Sequence, residues 1–280
     1  MDQRALEEIV AAALAEDIGP GDVTTEACVA PELTMQAQIR AKEPGVAAGL
    51  APARQAFRQL CPDATFIAHV IDGSEVTAGD VIAEVKGQAG GLLTAERTAL
   101  NFLQHLSGIA TTTAKFVAAV EGTGAAIVDT RKTTPGLRIL EKAAVRAGGG
   151  RNHRFALYDG VLIKDNHIRA VGGIAAAVRA ARANATHLLC VEVEVTTLEQ
   201  LDEALAAGAD VVMLDNMDLP TVREAVRRVG GKAVVEASGG ITLDNVREIA
   251  DAGVDLISVG AITHSAPALD ISMESVSVGA

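Results

Sequence analysis

The second half of the chain repeats one pattern: a short β-branched apolar run, a polar residue at its end, and an Ala-rich amphipathic stretch. The apolar runs cover residues 125–130, 160–166, 188–195, 210–216, 233–240 and 255–262. Strands that alternate with helices form parallel sheets with right-handed crossovers. Six such units in a row favour an incomplete (β/α) barrel over an open sheet. No GxGxxG motif follows any run, which argues against a dinucleotide-binding unit.

The first 107 residues follow a different pattern. A helix near residues 4–16 precedes the alternating stretch MQAQIRAK, a second helix near 51–60, and two strand-like runs around Gly73 and Gly79. The segment closes on LTAERTALNFLQHL, a predicted helix with Thr94 as its N-cap. We therefore predict an α/β protein with a small α+β domain over residues 1–107 and an open (β/α) barrel over 108–265.

Composition narrows the class of protein. Apolar residues make up 49% of the chain, yet it has no Trp, one Tyr and five Phe, so its core is aliphatic. The start of the chain lacks the apolar stretch of a signal peptide, and no apolar run reaches the ~18 residues of a membrane span. The three cysteines have no CxxC or metal-ligand spacing. These features predict a cytoplasmic protein that does not engage a membrane.

Charge is distributed unevenly along the chain. Between residues 131 and 169 nine basic residues face three acidic ones, so this segment carries +6 in a chain of net charge −12. An acidic protein is a poor general binder of nucleic acid. The basic segment indicates either an anionic ligand or a local salt-bridge network.

Polar residues at the ends of the predicted strands should meet in one pocket, because strand ends share the C-terminal face of a barrel. Glu192 and Glu194 lie two residues apart and so share the face of their strand that points into the barrel. The pocket has a cationic half and an anionic half, which could instead neutralise each other as a buried network. The candidates are Asp129, Thr130, Arg131, Lys132 and Lys164, then Glu192, Glu194, Asp215 and Glu236.

Glycine-rich turns follow the last two predicted strands. Ser238-Gly239-Gly240 and Gly260-Ala261 each precede a helical stretch, where free backbone N–H groups bind phosphate in many barrels. His264 follows the second turn. These turns predict a phosphate site, although the glycines could serve turn geometry alone.

A second basic cluster, GGGRNHR (148–154), connects the first two predicted barrel strands. Arg154 offers the planar donors that suit carboxylates, and His153 beside it is a further candidate ligand. Paired-histidine spacing is missing, so a zinc site is not expected. The carboxylates of the anionic half are instead the oxygen ligands that Mg²⁺ prefers beside a substrate phosphate.

At this point the chain resembles the quinolinate phosphoribosyltransferase family, from about Asp17 to Ile271. No single motif is specific, but their order along the chain is. The matching stretches are EDIGPGDVTT (16–25), LLTAERTALNFLQHLSGIAT (92–111), DTRKTTPGLR (129–138), KAAVRAGGGRNHR (142–154), LIKDNH (162–167), EVEV (192–195), LDN (214–216), SGG (238–240) and VGAITHS (259–265).

The resemblance implies a type II phosphoribosyltransferase fold, with the C-terminal tail 266–280 joining the N-terminal domain. It implies transfer of a phosphoribosyl group from phosphoribosyl pyrophosphate to quinolinate, with loss of CO₂, in NAD biosynthesis. It also implies Mg²⁺ and a homodimer with shared active sites.

The same resemblance implies roles for individual residues. Quinolinate carboxylates would be held by Arg131, His153, Arg154 and Lys164, with Arg97 reaching in from the other subunit. Lys132 would lie by the diphosphate, and the two carboxylates near the ribose and Mg²⁺ would be Glu194 and Asp215. The residues around the 5-phosphate would be Ser238, Gly239, Gly240, Gly260 and His264, and Thr130 and Ala261 would be further substrate-binding residues.

Other readings of the pocket stay open at the level of sequence. A Schiff-base aldolase would use Lys132 or Lys164 as its nucleophile, but such a lysine needs desolvation rather than many neighbouring cations. A relative of the same fold could use another pyridine acid. A phosphosugar-sensing protein would keep the pocket without turnover.

Overall fold

The computed structural model describes residues 2–279. Up to residue 119 its elements alternate irregularly, as in an α+β domain. The helices are α1 (Gln3–Ile18), α2 (Val23–Cys28), α3 (Leu50–Leu60) and α4 (Ala89–Ala119). The strands are β1 (Thr34–Ala41), β2 (Gly45–Val46), β3 (Thr65–Ala68), β4 (Glu75–Val76) and β5 (Val81–Gln88).

From residue 126 onward, strands and helices alternate more regularly. The strands are β6 (Ala126–Val128), β7 (Val161–Ile163), β8 (Val191–Val195), β9 (Val211–Asp215), β10 (Val234–Ser238), β11 (Leu256–Ser258) and β12 (Ile271–Gly279). The helices are α5 (Arg138–Ala147), α6 (Asp165–Val171), α7 (Ile174–Asn184), α8 (Leu198–Ala206), α9 (Leu219–Val229), α10 (Val246–Asp251) and α11 (Ala261–His264). None of the helices in this part or the earlier one combines the length and apolar character needed to cross a membrane.

One compact unit contains the chain up to residue 114, residues 133–149 and the residues from 263 onward. Its main sheet is antiparallel, with strand order β12-β1-β5-β3. In β1, residues 35, 37, 39 and 41 are buried and the intervening ones are more exposed, which is the alternation the sequence shows. The C-terminal strand β12 pairs with β1 over its whole length, so the end of the chain completes this sheet.

The other unit contains residues 115–132 and 150–262. Its six strands are parallel, in the order β6-β11-β10-β9-β8-β7. Helices follow most of these strands, and the valines of β8 are fully buried. A parallel sheet of this kind is covered by its crossover helices, so near-continuous apolar strands are expected. The fold class predicted from the sequence is confirmed: an α/β, barrel-like sheet with a smaller α+β domain.

The long helix α4 begins five residues before the N-cap that we predicted. Thr94 lies inside the helix, where its hydroxyl donates to the Gly90 carbonyl and contacts Asp22. The Gln88 side chain instead accepts the Gly91 N–H at 2.5 Å, so it takes over the capping role. The N-cap prediction was therefore wrong, because β5 continues into the helix without a loop.

Close packing at Gly108 of α4 generates a prediction. A methyl group here would overlap the carbonyl of Pro267 and lie 2.9 Å from its carbonyl carbon. Gly108→Ala should lower the free energy of unfolding by about 2 kcal/mol or more, although Ala is the better helix former. Denaturant unfolding measures this. Lys115→Ala, at an exposed position of the same helix, is the control, and equal stability of the two variants would contradict the packing argument.

Candidate active site

The carboxyl ends of the six parallel strands gather most of the residues that the sequence singled out, because parallel strands end at one edge of a sheet. Each strand contributes to this edge. In chain order the residues are Thr130, Arg131 and Lys132 after β6, Lys164 after β7, Glu194 in β8, Asp215 at the end of β9, Ser238, Gly239 and Gly240 at the end of β10, and Gly260 and Ala261 after β11.

A buried carboxylate holds the second basic cluster against the end of β6. Asp129 is 0% exposed. Its oxygens accept the Asn152 side-chain amide at 2.6 Å and the His153 backbone N–H at 2.9 Å. Arg151 adds a parallel bridge to Val128. Residues 151–153 therefore continue the sheet beside β6, and this places His153 and Arg154 at the barrel.

His153 uses both ring nitrogens within the protein. Nε2 lies 3.0 Å from Oε2 of Glu192 and 3.6 Å from Oε2 of Glu236. Nδ1 lies 2.8 Å from the backbone nitrogen of Arg154, whose N–H donates to it. The ring is therefore oriented by groups on the barrel strands, and its predicted contact with a substrate carboxylate stays a prediction.

Arg154 lies next to a second guanidinium. Burial lowers its pKa, the like charge of Arg131 lowers it further, and the carboxylates of Glu192 and Asp159 oppose this shift. One guanidinium nitrogen donates to the Gly160 carbonyl at 3.0 Å, while the buried Nε has no hydrogen-bond partner. Two neighbouring cations, one with an unused buried donor, form a site that favours an anion.

Lys164 links the cationic half of the site to the anionic half. Its Nζ contacts the carboxylate of Glu194, which lies on the neighbouring strand. The backbone N–H of Lys164 donates to Nδ1 of His167 at 2.9 Å, which fixes the chain where α6 begins. Part of the charge in the pocket is thus neutralised internally, as the network reading of the sequence expected.

The turns after β9 and β10 support each other. Asn216 has a φ of 54°, unusual for a non-glycine residue, and its backbone N–H donates to the Ser238 carbonyl at 2.9 Å. Gly239 and Gly240 have φ values of 90° and 63°, and a Cβ at Gly239 would overlap the Asn216 side chain. These glycines are therefore required by the backbone as well as being available to a ligand.

One detail of the predicted phosphate site differs. We expected a helix to open at the turn after Gly240, but α10 begins only at Val246. Residues 241–245 form an intervening turn in which Asn245 donates to the Gly240 carbonyl at 2.9 Å. After Gly260, in contrast, α11 begins at once with Ala261. Only the second turn thus leads directly into a helix.

Two further predicted site residues, Arg97 and His264, lie on helices, outside the six strand ends. Arg97 is exposed on α4, beside Glu96, whose pKa is raised by burial and lowered by the Arg97 charge. His264 ends α11, and its Nδ1 lies 2.6 Å from Oγ of Ser265. Their predicted roles toward the substrates stay predictions.

Several of the carboxylates predicted in the pocket position other residues of the site. Asp129 supports the 151–154 segment, and Glu192 with Glu236 contacts the His153 ring. Their strand-end positions were visible in the sequence. Their partners were not, because each partner lies on a different strand or loop.

Oxygen ligands suited to Mg²⁺ lie on adjacent strands. Glu194 and Asp215 belong to β8 and β9, which pair in register, and both side chains are partly exposed. Mg²⁺ binds through one or two carboxylates and keeps several waters, so this donor set fits the ion. A second group, His153 with Glu192 and Glu236, has ligand atoms within 4.8 Å of one another.

The fold and the strand-end residues together define a barrel enzyme for anionic substrates. Comparison with known proteins makes the class specific. Residues 22–107 match the family description "Quinolinate phosphoribosyl transferase, N-terminal domain", and residues 109–274 match the corresponding C-terminal domain. The chain belongs to the quinolinate phosphoribosyltransferase family, as the motifs predicted.

Individual relatives agree with this assignment. A probable carboxylating nicotinate-nucleotide pyrophosphorylase of Bacillus subtilis is 50% identical over 92% of this chain and 89% of its own length. The carboxylating nicotinate-nucleotide pyrophosphorylase of Mycobacterium leprae is 45% identical over 96% and 97%. A solved nicotinate-nucleotide pyrophosphorylase of Francisella tularensis superimposes with a TM-score of 0.93 at 42% identity, covering 98% of this chain and 97% of the other.

The Asp129 contacts generate a prediction about the site's framework. Asp129→Ala would leave the Asn152 amide and the His153 N–H without these buried acceptors, so unfolding should require about 2–4 kcal/mol less. Asn152→Ala removes only one of these two bonds and should have a smaller effect. Denaturant unfolding of both variants measures the difference. An Asp129→Ala protein as stable as wild type would exclude this anchoring role.

Proposed function

We propose that this enzyme transfers the phosphoribosyl group of phosphoribosyl pyrophosphate to the ring nitrogen of quinolinate, the activity named for its family. The products are nicotinate mononucleotide, pyrophosphate and CO₂, and the reaction serves NAD biosynthesis. The observation that carries the proposal is the cluster of cations at this edge of the barrel, with Arg131 after β6, Lys164 after β7 and Arg154 in the segment held beside β6 by Asp129. A substrate with two adjacent carboxylates matches such a site in charge and geometry.

Quinolinate binds on the cationic half of the pocket. Arg131, Arg154 and Lys164 hold its carboxylates, and His153 lies beside them. The environment of Arg154 supports this arrangement, because the like charge of Arg131 makes a bound carboxylate favourable beside it. The Lys164–Glu194 contact rearranges or is shared when the substrate enters.

The sugar and diphosphate bind on the anionic half and the glycine turns. Lys132 lies by the diphosphate, and the 5-phosphate is surrounded by Ser238, Gly239, Gly240, Gly260 and His264, with Thr130 and Ala261 as further substrate-binding residues. Backbone N–H groups at the start of α11 support this placement. Glu194 and Asp215 would hold Mg²⁺, which would supply positive charge beside the leaving pyrophosphate.

Catalysis follows from the placement of these charges. The bond between C1 of the ribose and the diphosphate breaks as the pyridine nitrogen of quinolinate attacks C1. Carboxylates of the anionic half stabilise the positive charge that develops on the sugar. The pyridinium product then accepts the electron pair left when the 2-carboxylate departs as CO₂, and a proton replaces it on the ring.

Arg97 acts in the active site of a second subunit. It is exposed on α4, where neighbouring Leu92, Leu100 and Leu103 are buried while Leu93 is partly exposed. An exposed arginine on an otherwise well-packed helix suits an interface role. In a two-fold dimer each subunit would then complete the other's dicarboxylate pocket.

We place the enzyme in the cytoplasm. Cys28, Cys61 and Cys190 are all free thiols in the described chain. Unpaired cysteines are usual for proteins of a reducing compartment.

The proposed function leads to a prediction about the choice of substrate. Nicotinate lacks the 2-carboxylate, so the cations proposed to hold that group would lose a partner, and such a loss can lower kcat/KM by about 10³-fold or more. Release of pyrophosphate and CO₂ from quinolinate, with phosphoribosyl pyrophosphate and Mg²⁺, measures the activity. Comparable turnover of nicotinate would overturn the assignment of the dicarboxylate site.

Mixing two inactive variants tests whether Arg97 acts in the active site of the partner subunit. Arg97→Ala and Lys164→Ala should each be inactive alone. A mixed dimer would place both lesions in one site and leave the other intact, so free exchange should restore roughly a quarter of wild-type activity. Subunit exchange is verified separately with differently tagged chains. No recovery despite exchange would place Arg97 outside the partner's site.

A further inference from the structure

The carboxyl group of Glu236 lies in the barrel interior without a hydrogen-bond partner. Glu236 is at the middle of β10 and is 1% exposed, and neither of its carboxylate oxygens is hydrogen-bonded. Glu192 is 7% exposed, and its Oε1 also lacks a hydrogen-bond partner. Two buried carboxylates that face the same imidazole cannot both carry an unpaired charge at low cost.

Either a metal ion or a proton could neutralise this pair, and the His153 ring distinguishes them. The Arg154 backbone N–H donates to Nδ1, so Nδ1 carries a lone pair. In a neutral imidazole the other nitrogen, Nε2, then carries the proton and donates to Glu192. A metal would need the lone pair on Nε2 and would leave an N–H at Nδ1 facing the Arg154 N–H. The geometry therefore favours a proton.

The surroundings of Glu236 favour its uncharged form. The pKa of Glu236 is raised to about 7, chiefly by burial and then by the charge of Glu192, while His153 and Ser258 act in the opposite direction. The charged or titratable groups that face it are Glu192 of β8 and His153 of the 150–160 segment. Its register partners on β9 and β11 are Met213 and Leu256, which do not ionise.

We propose that Glu236 is a positioning residue that works as a neutral acid. It donates its carboxyl proton to Glu192, and Glu192 holds His153 in the tautomer that carries its proton on Nε2. The His153 ring in turn accepts the Arg154 backbone N–H and thereby orients the start of the Arg154 side chain. Glu236 touches no substrate in this scheme.

The proton also sets the charge beneath the cationic pocket. With Glu236 neutral, the pair carries one negative charge, and this charge supports the Arg154 guanidinium. Ionised Glu236 would add a second negative charge close to a dianionic substrate. The consequence for quinolinate rests on the proposed function, whereas the buried proton does not.

Protein stability tests the proton without any substrate. Between pH about 4.5 and about 7 the unfolded chain releases a proton that folded Glu236 keeps, so wild-type stability falls over this window as pH rises. Glu236→Gln removes this titration. The unfolding midpoint of this variant minus that of wild type should therefore increase as the pH rises from about 4.5 to about 7. Glu32→Gln, at an exposed turn, is the control and should show no such change. If Glu236 is ionised at every pH in this window, Glu236→Gln should show no such change either, and that result would overturn the proposal.

Kinetics test the positioning role. The wild-type KM for quinolinate should rise above pH about 7 by up to about tenfold per pH unit, the limit for one required proton, with little change in kcat. Glu236→Gln should flatten this dependence, because its amide can still donate to Glu192. Glu236→Ala should raise KM at every pH, since the donor is lost. Equal KM profiles for the Gln and Ala variants would overturn the proposal and favour an ion pair or metal ligand.

Discussion

The site depends on a carboxylate that never meets the solvent. Asp129, fully buried at the end of β6, accepts the amide of Asn152 and the backbone N–H of His153. These bonds extend the edge of the parallel sheet with a segment that is otherwise a glycine-rich loop. The loop carries three potential cations, and the repulsion between them would not hold it in one conformation. The buried contacts of Asp129 hold the loop in place and so position the cations of the proposed anion site.

The positively and negatively charged side chains of the site lie at different depths as well as on different sides of the barrel. The Arg154 guanidinium experiences the like charge of Arg131, which the carboxylates of Glu192 and Asp159 oppose, while Lys164 contacts Glu194 across neighbouring strands. Glu192 and Glu236 lie deeper. Desolvation makes an unpaired charge on either of these two carboxylates unfavourable.

Much of the fold was readable in the sequence, and the departures have physical causes. The apolar runs predicted all six barrel strands, and the alternation in β1 predicted a half-buried strand. The N-cap at Thr94 was wrong because a tertiary contact at Gln88 replaced the local signal. Helix α5 interrupts the regular βα repeat, since its Glu141 pairs with His105 of α4 at 2.8 Å within the other compact unit.

The sequence by itself determined the barrel strands, the polar residues at their ends and the family, because hydrophobic period and motif order are local properties of the chain. Only the tertiary structure decided how these residues pair. Glu192 and Glu236 meet His153 because β8 and β10 point side chains inward beside the 150–160 segment, and sheet order is set by packing. The spacing of residues along the chain does not indicate how deeply a side chain is buried or which strands pair. The same holds for Asp129, whose role follows from the donors that face it.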